Sequence, residues 1–476
     1  MAMVSRILLI NANQCSAPDP VFPLGLSHLN AALRRAGHQT RLFDLLAEPQ
    51  SVEDVLRRFQ PDFVGLSLRN VDNVLIRQQE TYFAGLLTLS DAVRRAHPCT
   101  VVIGGSGFSI YPKKLLELSR ADFGIQGEGE ASLVALVAAL RGGAEYASIP
   151  GLVYRRGRQI VANPQQPSDS QAGLEAADRP SAVADFYLTA CGMLNVQTQR
   201  GCGQACTYCA YPLIEGCLHR RRDPEAVAQE FEQLQAMGAK YAFVVDSVFN
   251  SSERHVAETC EAILRRGVKL RWGCFLRPQS LTLEMMRLMA RAGLTHIEFG
   301  SDSFCDTVLE QYAKRLAFDD IARSSELARQ AGIEHCHYLI CGGPGESLET
   351  LETSFQNSRH LAGSVVLAVV GMRIFPGTAL AQRAVQEGRV TADADLLAPA
   401  YYFAAGLDEV TVFERLREFA RRAPNWIVGD PPPGFANLVA RLRRRGVVGP
   451  LWSYFAMLQR IMPQGAAEMT RAVPTA

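Results

Sequence analysis

Residues 193–209 read Met193-Leu-Asn-Val-Gln-Thr-Gln-Arg-Gly-Cys202-Gly-Gln-Ala-Cys206-Thr-Tyr-Cys209. The apolar beginning predicts a β-strand, and the glycines and polar residues after it predict a loop. Three cysteines at spacings of four and three residues can converge on one face of such a loop. The stretch therefore predicts a metal or cluster site placed directly after a strand.

The number of cysteines favours an iron–sulfur cluster. A structural zinc site usually takes four ligands, and the sequence has no second CxxC or HxxxH pair. Three thiolates on a four-iron cluster leave one iron open to a substrate or cofactor. Two other interpretations stay open: a zinc ion with a distant fourth ligand such as His219, and three unrelated thiols.

Length and composition restrict the protein class. The chain has 476 residues, which suggests about three domains, and its 48% hydrophobic and 20% charged residues are typical of globular proteins. This composition excludes a disordered chain, a collagen and a coiled coil. A net charge of +1 disfavours a nucleic-acid binder held by phosphate contacts and favours a small or lipid-like substrate.

The sequence pattern predicts neither a transmembrane helix nor a secretory signal peptide. No stretch approaches 18 uncharged apolar residues, and the N-terminal ILLI run is too short for a signal peptide, so it predicts a strand. We therefore expect a cytoplasmic protein. Most of the 12 cysteines are isolated in apolar runs, and a reducing cytosol disfavours disulfides.

Residues 1–145 alternate between strand and helix patterns, which predicts a doubly wound parallel sheet. Ligands of such sheets bind beyond the carboxyl ends of the strands. Polar and glycine-rich segments stand at these predicted ends. They are Asn11 with Asn13, Ser67–Asp72, Gly104–Gly107 and Gly127–Glu130.

The rest of the chain divides into three parts. Residues 146–190 predict a hairpin over Val153–Val161 and a polar linker. Residues 191–392 predict six βα units, too few for a closed eight-stranded barrel, and so an open partial barrel. Residues 393–476 predict a helical C-terminal region broken at Asp430–Gly434. The predicted fold class is α/β.

The CxxxCxxC loop on the first unit of a βα barrel resembles that of radical S-adenosylmethionine (SAM) enzymes. Tyr208 stands at the usual aromatic position, Ile297–Ser303 resembles the fourth-strand segment, and Ile340–Glu346 resembles the Gly-Pro-Gly-Glu turn. The resemblance covers residues 194–390. It implies that Cys202, Cys206 and Cys209 bind a [4Fe-4S] cluster whose open iron chelates SAM.

The resemblance also implies a set of SAM-binding residues. Asp246 and Glu298 match contacts to the ribose or amino group, Arg277 or Lys314 would pair with the carboxylate, and adenine would lie against two glycines. The implied set is Tyr208, Asp246, Arg277, Glu298, Lys314, Gly342 and Gly343. Asp246–Asn250 replaces the usual Gly-Gly-Glu segment, which is a departure from the family pattern.

The N-terminal domain resembles the cobalamin-binding domain of class B radical SAM methylases, through Gly104–Gly107 and Gly127–Glu130. Glycines at strand ends let the backbone approach a flat, bulky corrin. The Asp-x-His-x-x-Gly motif is absent, so a histidine ligand to cobalt is not expected. The implied cobalamin-binding residues are Asn11, Ser67, Arg69, Asn70, Gly104, Gly105, Ser106, Gly127 and Glu128.

Together these resemblances imply a cobalamin-dependent radical SAM methyltransferase. It would methylate an unactivated carbon of a lipid or natural-product intermediate through a 5′-deoxyadenosyl radical and methylcobalamin, with an electron donor such as flavodoxin or ferredoxin. Tyr211–Gly216, Asp246–Asn250 and Gly371–Pro376 resemble a subgroup of lipid biosynthesis.

Three further expectations concern alternatives and the C-terminal tail. A radical SAM enzyme without cobalamin would perform a rearrangement or transfer another part of SAM. A corrinoid-binding sensor would have no catalytic activity. Arg441–Arg445 with residues 447–462 predicts a peripheral membrane contact or a helix packed on the barrel.

Overall fold

The structure is a computed structural model that describes residues 4–16, 18–166, 176–429 and 435–454. Within these residues, no helix is both long enough and apolar enough to cross a membrane.

The N-terminal domain, which ends with β7 at Ala162, is a seven-stranded sheet with helices on both faces. Its strand order is β2-β1-β3-β4-β5-β6-β7; the first five strands are parallel, and β6 and β7 form an antiparallel hairpin at one edge. This confirms the doubly wound sheet and the hairpin. The elements are β1 (Arg6–Asn11), α1 (Leu24–Arg35), β2 (Gln39–Asp44), α2 (Val52–Phe59), β3 (Phe63–Ser67), α3 (Phe83–Ala96), β4 (Thr100–Gly104), α4 (Ser106–Ile110), α5 (Pro112–Ser119), β5 (Phe123–Ile125), α6 (Glu130–Gly142), β6 (Leu152–Arg156) and β7 (Gln159–Ala162).

Strand β1 shows why the sequence folds in this way. Alternate residues face two different apolar cores: Ile7 and Leu9 pack on the side of α1 and α6, and Leu8 and Ile10 pack on the side of α2 and α3. A strand buried on both faces reads as a continuous apolar run, which is the pattern of parallel sheets. The order 2-1-3 places the topological switch point between β1 and β3, where a ligand site is expected.

The rest of the described chain forms an open parallel barrel, whose strand order is β18-β15-β14-β13-β12-β11-β8. Its elements are α7 (Ser181–Cys191), β8 (Met193–Val196), β9 (Gln199–Arg200), α8 (Tyr211–Glu215), β10 (Arg220–Arg221), α9 (Pro224–Ala236), β11 (Tyr241–Val244), α10 (Glu253–Arg265), β12 (Arg271–Leu276), α11 (Leu283–Arg291), β13 (Leu294–Asp302), α12 (Asp306–Gln311), α13 (Phe318–Gln330), β14 (Glu334–Cys341), α14 (Leu348–Ser358), β15 (Val365–Val370), β16 (Met372–Arg373), α15 (Ala379–Gln386), β17 (Tyr401–Tyr402), α16 (Glu409–Arg422), β18 (Trp426–Val428), α17 (Phe435–Arg444) and a 3-10 helix (Leu451–Tyr454).

The barrel corrects the predicted strand count. Six strands were expected, but β18 pairs parallel with β15 and adds a seventh strand to the sheet. This strand lies in the C-terminal region, whose periodicity predicted helices. It has only three residues, too few for an alternating pattern to distinguish it from a loop.

The C-terminal region packs on the rest of the protein. Its helices α16 and α17 confirm the helical expectation, while residues 430–434 and 455–476 lie outside the described residues. Val439, Leu442 and Trp452 are buried, and Arg443 forms an ion pair with Asp19 of the N-terminal domain. The described part of this segment therefore uses its apolar side chains inside the protein.

Candidate functional site

The backbone of the cysteine loop is fixed where it leaves the barrel. Gly201 has a φ of +84°, and a Cβ there would stand 2.0 Å from the carbonyl oxygen of Leu218, so only glycine fits. The N–H of Cys202 donates to the Gly216 carbonyl at 3.1 Å, and the N–H of Cys209 donates to the Cys206 carbonyl at 3.2 Å. The three cysteines therefore stand on a compact, hydrogen-bonded turn.

The thiols of this loop fit a cluster better than a single ion. Cys202 is buried, Cys206 and Cys209 are half-buried, and all three are free. Burial, together with the neighbouring Cys206 and Cys202 thiols, raises the pKa of Cys209 to about 12. Yet no three His, Cys, Asp or Glu side chains in the described part of the chain are arranged to hold one metal ion. A four-iron cluster binds each thiolate at a different iron, so it suits three close but separate thiols, whereas a zinc site with His219 does not fit.

Two cationic side chains lie beside the loop. The Lys314 ammonium contacts the Asp302 carboxylate at 2.6 Å, and the Tyr208 hydroxyl donates to the same carboxylate. The Arg277 guanidinium contacts the Gln204 side chain and donates to the Arg315 carbonyl at 2.8 Å. Positive charge at this point favours an anionic cluster and a carboxylate ligand.

These cations also act on the thiols. Burial raises the pKa of Cys206, and the positive charges of Lys314 and Arg277 oppose that rise. Because iron binds the thiolate and displaces the proton, they favour cluster binding. Arg277, Lys314 and Tyr208 are thus brought together with the cysteines, as the sequence predicts, and their contact with SAM stays a prediction.

The two predicted carboxylates already have protein partners. Asp246 accepts hydrogen bonds from the N–H of Thr198 at 2.7 Å and from its hydroxyl at 2.5 Å, and burial raises the pKa of Asp246 to about 7. Glu298 accepts from the Trp452 indole at 2.9 Å and from the Tyr338 hydroxyl at 3.1 Å. Both carboxyl groups are buried inside the barrel, and a direct contact of either with SAM stays a prediction.

Gly342 and Gly343 lie close to protein side chains in the Cβ direction. A Cβ at Gly342 would stand 2.9 Å from the Phe403 ring, and one at Gly343 would stand 2.3 Å from the Tyr312 hydroxyl. The Cβ direction at these glycines is therefore occupied by protein side chains, and the contact of adenine with their backbone stays a prediction. The sequence pattern could not show these neighbours, because Phe403 and Tyr312 lie far from the Ile340–Glu346 turn along the chain.

A cavity of about 640 Å³ lies between the N-terminal domain and the barrel. On the N-terminal side it is lined by the carboxyl ends of β1, β3, β4 and β5. On the barrel side it is lined by the cysteine loop and α8. All nine predicted cobalamin-binding residues line it: Asn11, Ser67, Arg69, Asn70, Gly104, Gly105, Ser106, Gly127 and Glu128.

The cavity wall combines apolar side chains with backbone at the strand ends. One part reaches between the sheet and helices α1 and α6, where Leu9, Leu29 and Leu133 make an apolar slot suited to a flat aromatic base. At the rim, a Cβ at Gly105, which has a φ of +98°, would stand 2.5 Å from the Leu68 carbonyl oxygen. Any side chain at this glycine would disturb the strand end that faces the cavity.

Arg69 is one of the charged residues of the cavity wall, beside Glu128, Glu130 and Arg200. Its side chain is exposed to the cavity, but surrounding protein lowers the pKa of Arg69 by desolvation. No histidine lines the cavity among the residues that the structure describes, which agrees with the missing Asp-x-His-x-x-Gly motif.

Sequence reasoning missed several residues of the site. Gln197, Arg200, Tyr211 and Glu215 line the cavity on the barrel side. Arg200 is buried and forms an ion pair with Glu130 at 2.7 Å, a contact that the sequence pattern does not predict. The sequence clue was the position of this arginine directly before the cysteine loop. Nothing in the sequence indicated which carboxylate would pair with it.

Comparison with known proteins agrees with this geometry. Residues 14–137 match the B12 binding domain family, and residues 196–356 match the radical SAM superfamily. A tryptophan 2-C-methyltransferase of Streptomyces laurentii is 26% identical over 449 residues, covering 80% of this chain and 75% of the relative. A hopanoid C-3 methylase of Methylococcus capsulatus is 27% identical over 344 residues, covering 68% and 64% respectively.

Solved structures show the same architecture. The radical SAM methyltransferase TsrM from Kitasatospora setae, solved with cobalamin and a [4Fe-4S] cluster, superposes with a TM-score of 0.86 at 25% identity, over 98% of this chain and 100% of TsrM. The cobalamin-dependent enzyme OxsB superposes with a TM-score of 0.75 at 18% identity, over 96% of this chain and 72% of OxsB, which supports the fold.

The two matched domains, the three-cysteine loop and the cavity lined by the predicted cobalamin-binding residues form one consistent set. The cofactors of such a protein are a [4Fe-4S] cluster, SAM and cobalamin. This chain is a class B radical SAM enzyme of the cobalamin-dependent methyltransferase group.

Proposed function

We propose that this enzyme methylates an unactivated carbon of a small, largely apolar lipid or natural-product intermediate by a radical route. One observation carries the proposal: Cys209 and the nine predicted cobalamin-binding residues line the same cavity. When bound, the cluster supplies the electron that cleaves SAM, and cobalamin carries the methyl group. A substrate held between the two cofactor sites would be within reach of both.

The residues of the chain have separate tasks in this proposal. Cys202, Cys206 and Cys209 hold the cluster. Lys314 and Arg277 place positive charge beside it, where the SAM carboxylate would bind. Because the cavity lies between the two domains, a bound substrate and cofactor would displace water from it, which would protect a reactive organic radical from side reactions.

The lining of the cavity supports the substrate class. Val74, Ile214 and Phe375 contribute apolar surface to the wall that also holds Tyr211. Arg69 faces the cavity from the segment after β3, while the charges of Arg200, Glu128 and Glu130 pair with one another. Such a lining favours an apolar or aromatic body over a highly charged one. The names of the relatives, a tryptophan methyltransferase and a hopanoid methylase, include one substrate of each proposed kind.

An external protein electron donor completes the proposal. The outer side of the cysteine loop is open, since Gly203 and Ala205 are exposed and the neighbouring Leu218 side chain is 69% exposed. A small flavin or iron–sulfur protein could approach the cluster from this side. The peripheral membrane contact stays a prediction, because residues 455–462 of that segment lie outside the described residues, while Val439, Leu442 and Trp452 of the described part are buried.

The test begins with anaerobic protein that carries its cluster and cobalamin. It is incubated with SAM bearing a CD₃ group, a reductant and a panel of apolar and aromatic substrates, and the products are identified by mass spectrometry. We expect a deuterated methyl group on one substrate, together with 5′-deoxyadenosine. Formation of 5′-deoxyadenosine without methyl transfer to any substrate, in protein that fails to bind cobalamin, would contradict the proposal and favour a rearrangement enzyme.

A further inference from the structure

A group of buried charged residues joins the cysteine loop to the N-terminal domain. Arg200, which precedes Gly201 and Cys202, donates to a Glu130 carboxylate oxygen at 2.7 Å and lies 3.5 Å from Glu128. Arg220 stands opposite Arg200 in the β9–β10 ribbon and also forms an ion pair with Glu128. Only 6% of the Arg200 side chain is exposed, so these contacts are shielded from solvent.

The same arginine is tied to the loop from within. Its Nε donates to the Gln197 side-chain oxygen at 2.9 Å, and the Gln197 amide donates to a Glu215 oxygen at 2.8 Å. The other Glu215 oxygen accepts from the Gly201 N–H at 3.1 Å. An unbroken series of hydrogen bonds therefore runs from Glu130 of the N-terminal domain to the backbone beside Cys202.

The carboxylates of this group also belong to the cavity wall. Glu128 and Glu130 lie in the Gly127–Glu130 segment, and both line the cavity. A buried ion pair with several hydrogen bonds holds its partners firmly, because displacing one leaves a buried charge unpaired. A shift of the corrinoid-binding wall would thus be transmitted to the cysteine loop.

We propose that Arg200 is a positioning residue whose ion pairs with Glu128 and Glu130 set the separation between the cluster-binding loop and the cobalamin-binding face. This inference rests on the cofactor placement proposed above. It gives Glu128 a second role beside the predicted cofactor contact, and it assigns roles to Arg200, Arg220 and Glu130.

The molecule offers a matched control. Arg443 and Asp19 form another ion pair between the N-terminal domain and the rest of the chain, and the Arg443 side chain is 3% exposed. Neither residue belongs to the cysteine loop or lines the cavity. R443Q therefore removes a buried interdomain pair of similar kind without touching the proposed connection.

The first experiment compares E130Q, R200K and R443Q with the parent protein, with the cluster reconstituted and without cobalamin. An iron chelator removes the cluster, and the loss of its absorbance gives a rate. Loss of one charge-assisted hydrogen bond corresponds to about a tenfold change in such a rate. We expect roughly tenfold faster loss for E130Q, a smaller increase for R200K, and no change for R443Q.

The second experiment measures the distance-dependent magnetic coupling between the reduced cluster and Co(II) cobalamin by electron paramagnetic resonance. We expect a changed or broadened coupling in E130Q and the parent spectrum in R443Q. Where E130Q does not retain cobalamin, the chelator rates decide. Equal chelator rates in E130Q and R443Q, with a lowered melting temperature in both, would show a merely structural contact and overturn the inference. Neither measurement needs methyl transfer, so failure of the proposed function would be seen separately.

Discussion

The two cofactor-binding regions differ in how far the protein has already filled them. On the N-terminal side, the nine predicted residues line an open cavity, to which the Arg69 side chain is exposed. On the barrel side, Asp246 and Glu298 are buried and accept hydrogen bonds from protein groups.

This difference separates residues that wait for a ligand from residues that shape the place where it binds. A strand end beyond a parallel sheet has no further protein to contact unless another domain covers it, so its side chains stay available. A residue inside a barrel is surrounded on all sides and must satisfy its polar groups before any ligand arrives. We therefore expect direct cofactor contacts to dominate in the first region, apart from Glu128, which also pairs with Arg200 and Arg220. In the second region we expect positioning roles, apart from the cysteine loop and its cations.

The largest effect is expected at the cysteine loop, where both regions meet. C209A removes one of three cluster ligands, and we expect the iron content and the methyl-transfer activity to fall to background. C217A is the matched control, since Cys217 is an exposed thiol just outside the loop. Iron analysis and the absorbance of reconstituted protein test this, and a full complement of iron in C209A would contradict the assigned ligand set.

The open side of the comparison is tested at Gly105. In G105A, the added Cβ meets the Leu68 carbonyl and the backbone must keep a φ of +98°, so we expect about tenfold weaker corrinoid binding and a lower melting temperature. Gly143 also has a positive φ, of +64°, but nothing lies within 4 Å of its Cβ position. G143A thus carries the cost of the backbone conformation alone, which is roughly 1–2 kcal/mol. Equal corrinoid affinity in the two variants, measured by titration, would mean that this strand end does not face the cofactor.

The barrel side of the comparison is tested through Asp246, by the pH dependence of the protein's stability. Its pKa is about 7 in the folded protein and about 3.8 when unfolded. The folded state therefore holds the Asp246 proton more tightly than the unfolded state does. The contribution of this proton to the free energy of unfolding is fully present below about pH 4 and is lost as the pH rises to about 7. We expect the melting temperature of the parent protein to fall over this range relative to D246N, which cannot titrate there.

Thermal unfolding of both proteins at several pH values checks this expectation. The melting-temperature difference between parent and variant should depend on pH between about 4 and 7 and be constant outside that range. E284Q is a suitable control, because Glu284 is an exposed residue in the first turn of α11. A pH-independent difference between D246N and the parent would show that the carboxyl group is not held in this buried state.

Much of the open region could be predicted from the sequence, and little of the filled region. Glycines and polar residues at the ends of Thr100–Gly104 and Phe123–Ile125 follow from the local strand pattern, and the parallel sheet brings those ends together. The Arg200–Glu130 pair spans 70 residues and the Trp452–Glu298 hydrogen bond spans 154. Such partners depend on how the domains and the C-terminal segment dock, which no local pattern encodes.

The smallest expected effect distinguishes the two roles at Glu298. E298Q keeps an oxygen that can accept from the Trp452 indole at the position where the carboxylate accepts now, at 2.9 Å, and it removes a buried charge. Burial raises the pKa of Glu298, so a neutral side chain at this position costs little in stability. We therefore expect SAM affinity within about twofold of the parent value, because the Glu298 oxygens already accept hydrogen bonds from Tyr338 and Trp452.

W452F is the companion variant, since it removes the indole donor and leaves Glu298 in place. If the two residues form one unit, the stability loss of the double variant should be smaller than the sum of the two single losses. Equilibrium binding of SAM to the cluster-loaded protein measures the first expectation, and denaturant unfolding measures the second. A fall of tenfold or more in SAM affinity for E298Q, with W452F unaffected, would place Glu298 at the ligand and make the barrel side as open to its cofactor as the N-terminal side.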